Sequence, residues 1–131
     1  MKPTRNNRTA FLYALAFLVL MAGVYHFIGL FYKINDAPIW RHVLFVLVDF
    51  YCVYGLLKRP KYFVYFFLIM TIQQYYSHGF QLIENWNAAH KIHWVSLFIL
   101  VLFPIGLWFL YIEQKSIEGK EFNHKNGFNN V

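Results

Sequence analysis

The sequence predicts an all-α integral membrane protein, a single-domain bundle of four transmembrane helices spanning residues 1–131, and three observations predict it. Hydrophobic residues make up 59% of the 131 and charged residues only 14%, well below the roughly 25% charged of a soluble domain. The apolar residues collect in four runs, each near the roughly 20 residues that cross about 30 Å of hydrocarbon. Lys and Arg gather at alternate ends of those runs, as an even number of crossings requires.

The first run, Phe11 to Phe31, contains no Asp, Glu, Lys or Arg, and a helix is expected over about 10–33. Basic residues precede it, as in a signal peptide, but its 21 residues exceed the roughly 7–15 of a signal-peptide core, so it reads as a membrane helix. The second helix, about 38–57, is interrupted by Arg41 and His42 at its start and by Asp49 near its middle. Pro38 suits the first turn, where its missing N–H has no partner to lose. The third, about 61–83, is apolar from Tyr62 to Ile72 and then polar through Gln73, Gln74, Ser77 and His78, which makes it the least hydrophobic of the four. The fourth, about 92–113, has aromatic residues at both ends as interface anchors and Pro104 inside, where a missing backbone donor is expected to kink it. From about 116 to 131 charges mix with Asn and Gly, the composition of a flexible tail.

Nine of the 12 basic residues lie before the first run, between the second and third, or after the fourth: Lys2, Arg5, Arg8, Lys58, Arg59, Lys61, Lys115, Lys120 and Lys125. Only Lys33, Arg41 and Lys91 lie at the other ends. Basic residues are retained on the cytoplasmic side, so both termini are expected there. Because these charges flank apolar runs and form no water-facing stripe, the net charge of +6 does not point to nucleic acid. The single cysteine, Cys52, excludes an internal disulfide or a thiol relay.

With this topology His26, Arg41, His42, Gln73, Gln74, Ser77, His78, Glu84, His90 and His93 fall in the outer half of the bilayer or just beyond it, and Asp49 near the midplane. Lipid offers no hydrogen bonds, so such groups are expected to turn toward one another or toward a wet cavity. Helical spacing aligns His42 with Asp49, Thr71 with Gln74, His78 and Gln81, His93 with Ser96, and His26 with the small residues Ala22 and Gly29. A bundle that turned these faces inward would hold an outward-facing polar pocket. It would suit an amphipathic molecule such as a lipid, isoprenoid or quinone, with His26, Arg41, Gln73, Gln74, Ser77, Gln81 and Glu84 as binding residues. Asp49 with His78 or His42 is the candidate acid/base pair should catalysis occur.

Plainer readings stand beside these. A lone His26 most simply hydrogen-bonds a neighbouring helix, and Arg41 and His90 can snorkel to the interface. An accessory subunit of a larger membrane complex, or a homo-oligomer that could form a pore, would use the same polar stripe to seal helix against helix. Haem or a metal is a third, less favoured possibility. His90 and His93 would share one helical face at i, i+3 spacing, but no HExxH motif accompanies them.

Overall fold

The computed structural model describes residues 4–32 and 38–127, with side-chain environments through residue 117. The described residues form four α-helices: α1 (Arg5–Ile28), α2 (Ile39–Lys58), α3 (Phe63–Ala89) and α4 (Trp94–Gly127). They divide at Pro60/Lys61 into two compact units, each a helical hairpin.

Local chemistry sets the helix ends. α1 begins before the apolar run because the Thr4 side chain accepts a hydrogen bond from the Asn7 N–H at 3.4 Å, capping the first turn. It ends at Ile28, short of the expected 33, and residues 29–32 turn away. α2 follows Pro38, as expected, and closes on Arg59 in the left-handed region (φ 54°), just ahead of Pro60. α3 closes in the same way on His90 (φ 50°). α4 continues through Pro104 and on to Gly127, so the segment from about 116, read from composition as a flexible tail, is helical as far as residue 127. An α-helix satisfies its own backbone bonds in water as well as in hydrocarbon, and no proline beyond Pro104 stops this one. Lys33 and residues 128–131 lie outside the described residues.

The two left-handed caps predict different responses to glycine. Arg59 offsets its backbone cost with a side chain that donates to the Leu56 carbonyl at 3.4 Å and lies 5.7 Å above the Tyr13 ring. His90 is exposed and makes only an edge contact with Trp86, ring centroids 5.7 Å apart. His90→Gly is therefore expected to stabilise the protein by about 1 kcal/mol, while Arg59→Gly brings no gain, as measured by thermal unfolding in detergent.

Buried residues mark one face of each helix. They are Leu12, Leu15, Ala16, Val19 and Gly23 on α1; His42, Cys52, Gly55 and Leu56 on α2; Phe63, Phe67 and Thr71 on α3. On α4, Ser96 and Leu110 are fully buried, and Glu113 is nearly so. The other faces carry exposed Phe, Tyr, Trp, Leu and Ile in numbers that water would not tolerate, including Phe17, Leu47, Ile69, Tyr76 and Phe98. α1, α2 and the Trp94–Ile117 part of α4 are long and apolar enough to cross a membrane. α3, with 27 residues, is about 40 Å long; its polar content from Gln73 onward sets it apart.

Candidate functional site

In the first hairpin α1 and α2 run antiparallel, as three pairs show: His26 with His42, Gly23 with Asp49, and Tyr13 with Arg59. Near the loop end the two imidazoles meet Nδ1 to Nδ1 at 3.0 Å, so in the neutral pair one nitrogen donates and the other accepts. His42 is 2% exposed, and His26 lies half-buried on the Phe45 ring, centroids 4.8 Å apart and nearly parallel. The Arg41 guanidinium stands 5.7 Å from the same Phe45 ring but is otherwise exposed.

About two turns further along α2 lies Asp49. A Cβ on Gly23 would come 3.2 Å from the Asp49 Cβ, so α1 approaches closely there because residue 23 has no side chain. Gly23 is thus a small residue at the crossing, and Ala22, which spacing from His26 suggested, is exposed. The Asp49 Oδ2 atom is buried and has no hydrogen-bond donor among the described residues.

The second hairpin gathers its polar groups around Ser96, which is fully buried. The hydroxyl lies 3.0 Å from His78 Nδ1 and 2.8 Å from His93 Nδ1, and donates to Gln81 Oε1 at 3.0 Å. His93 precedes α4 and caps it: its Nδ1 accepts the Ser96 N–H at 3.3 Å and its carbonyl accepts the Leu97 N–H at 3.1 Å. His90 and His93 therefore do not share a helical face, because residues 90–93 form the connection between helices and His90 is the left-handed cap of α3. Among the described residues no group of three or more His, Cys, Asp or Glu is placed to hold a metal ion.

Within the stripe expected on α3, the structure brings together His78 and Gln81. Thr71 instead donates to the Phe67 carbonyl of its own helix at 2.8 Å. Gln74 and Ser77 are half-buried, and Glu84 is exposed. Gln73 Oε1 is buried without a donor among the described residues, like Asp49 Oδ2. Ser96 is the residue that sequence reasoning undervalued. Its pairing with His93 is visible as i, i+3 spacing, but its position under His78 and Gln81 depends on how the hairpin closes.

Helices with apolar outer faces and polar side chains bonded to one another inside each hairpin define the class: an all-α protein, three of whose described helices are long and apolar enough to cross a membrane. The chain belongs to the family of the uncharacterized 13.3 kDa protein in the rpl23-rpl2 intergenic region of Euglena longa, to which it is 30% identical over 86 residues, 63% of this chain and 80% of that one. No family model matches the chain, and no solved structure matches it.

Proposed function

We propose that the chain crosses the membrane four times with both termini in the cytoplasm, and that it binds an amphipathic small molecule, a lipid, isoprenoid or quinone, whose hydrogen-bond-donating head engages Asp49. The observation that carries this reading is the Asp49 carboxylate oxygen buried without a donor. A charged carboxylate at the centre of a span costs roughly 2.5–3.5 kcal/mol, a cost that a hydroxyl or amine from a ligand would offset. Gln73 Oε1 in the second hairpin has the same need. His26 and His42 are bonded to each other in the first hairpin, which leaves Asp49 as the head-group contact there. Acid/base catalysis by Asp49 with His42 or His78 is not required by this reading.

The crossing of α3 is supported by the same bonds. His78 and Gln81 are paired inside the hairpin, and Thr71 with its own backbone, so the polar half of α3 presents fewer unsatisfied groups to hydrocarbon than its composition suggests.

Asp49→Asn tests the proposal, because it keeps the shape and removes the charge. Native mass spectrometry of the protein released from gentle detergent should find a lipid-, isoprenoid- or quinone-sized adduct on the wild type and not on the variant. The variant should also melt at a higher temperature, as expected when a site kept for binding is neutralised. An adduct-free wild type, or equal occupancy in both proteins, would contradict it.

A further inference from the structure

A cavity of about 570 Å³ lies at the other end of the second hairpin, between the start of α3 and the later turns of α4. It shares no residue with the histidine clusters. Its volume is within the roughly 300–1,000 Å³ of small-molecule sites, and its walls are ordered along the helix axis. Near Pro104 the lining is apolar, with Leu68 and Leu107. Tyr65, Trp108 and Tyr111 follow, and Gln114 and Lys115 close the far end. Among the described residues that line it, Lys115 is the cation. The Lys115 ammonium stands 4.8 Å from the Tyr111 ring centroid, so it is held over the aromatic end of the groove.

Lengths along α4 fit one leaflet. Lys115 lies 21 residues after Trp94, about 31 Å along the helix, so a span that enters at Trp94 leaves the hydrocarbon near Lys115. From Lys115 back to Pro104 is about 16 Å, close to half of a hydrocarbon core of about 30 Å. The groove thus runs from head-group level to near the midplane, cationic at the surface and apolar below.

We infer that this groove is a binding site for an anionic phospholipid of the leaflet that contains Lys115, with the phosphate at Lys115 and Gln114 and one acyl chain along Leu68 and Leu107. Cations between helices at the cytoplasmic surface suit anionic head groups, whose leaflet potential adds to the pairing. Tyr and Trp at that depth are amphipathic and match the glycerol region. The inference rests on the four-span reading for its leaflet, but not on the Asp49 site.

The test uses the full chain in nanodiscs of phosphatidylcholine or of phosphatidylcholine mixed with phosphatidylglycerol. Phosphatidylglycerol with brominated acyl chains should quench Trp108 fluorescence, read as the difference between wild type and Trp108→Phe, at least several-fold more strongly than brominated phosphatidylcholine. Lys115→Ala should abolish that preference, Lys115→Arg should keep it, and Leu107→Trp should displace the acyl chain and release the lipid from the protein in native mass spectrometry. Helical content and melting of each variant show that it is folded. Equal quenching by the two lipids, or a preference that survives Lys115→Ala, would overturn the site. Labelling of the termini reads the four-span proposal separately, so a lost preference in a chain with both ends cytoplasmic counts against the lipid site alone.

Discussion

Gly23→Val is expected to lower stability by about 3 kcal/mol, the largest effect of any substitution considered, although it adds only apolar volume to an apolar helix. A Cβ at residue 23 would meet the Asp49 Cβ at 3.2 Å and its Oδ2 at 3.9 Å. At that separation alanine forces a shift of a few tenths of an ångström, and the two further methyls of valine force α1 away from α2. Overpacking of this kind costs about 1–3 kcal/mol, and the displaced helix also strains the His26–His42 pair. Gly79 on α3 is the internal control: a Cβ there meets nothing within 4 Å. Gly79→Ala should be neutral or should stabilise by up to about 1 kcal/mol through helix propensity. Unfolding by titration with a denaturing detergent compares the variants. A Gly23→Val protein as stable as the wild type would show that the helices do not cross where the structure places them.

Ser96→Val is expected to cost about 2–3 kcal/mol, and Ser96→Ala about 2. The Ser96 hydroxyl donates to Gln81 and accepts from a His78 Nδ1–H, while the His93 Nδ1 that accepts the Ser96 N–H only lies against it, so its removal leaves His78 and Gln81 without their shared partner. Interhelical hydrogen bonds in membrane proteins average about 0.6 kcal/mol and reach about 1.7, and two that share a fully buried atom sum to about 2. Valine adds overpacking at a residue with no exposed surface. Ser96→Thr, which keeps the hydroxyl, should lose less than either. The nitrogen NMR shift of His78 gives a second readout, since its ring changes hydrogen-bond state only if it bonds the Ser96 hydroxyl, while His93 keeps its bond to the Ser96 N–H. An unchanged His78 shift in Ser96→Ala would contradict the cluster.

How much of this is legible in the sequence differs between the hairpins. On α3 the polar residues stand out against apolar neighbours, so the alignment of His78 with Gln81 follows from spacing, as does that of His93 with Ser96. α1 is apolar on every side, and with no polar face to orient it a one-residue error turns the inferred contact face by about 100°. That is why Ala22 was expected on the contact face where Gly23 lies. The His26–His42 contact required the register of α1 against α2, which depends on the connection between them and not on either helix. The expected bounds of about 61–83 and 92–113 already place His90 between helices, so the shared helical face of His90 and His93 assumed a continuity that those bounds do not give. Glu113 and Gln114 are buried although they follow the last apolar run, because α4 extends beyond the length hydropathy assigns it.

The crossing of α3 decides the topology, and parity makes it measurable. In a Cys52→Ser background, Arg5→Cys, Lys61→Cys, Lys91→Cys and Ser116→Cys can each be labelled with a membrane-impermeant maleimide in sealed vesicles of known orientation. Four crossings predict that residue 91 reacts from outside the cell and that residues 5, 61 and 116 react only from the cytoplasmic side. Reaction of residue 116 from outside, with residue 5 still cytoplasmic, would mean an odd number of crossings and would contradict the account.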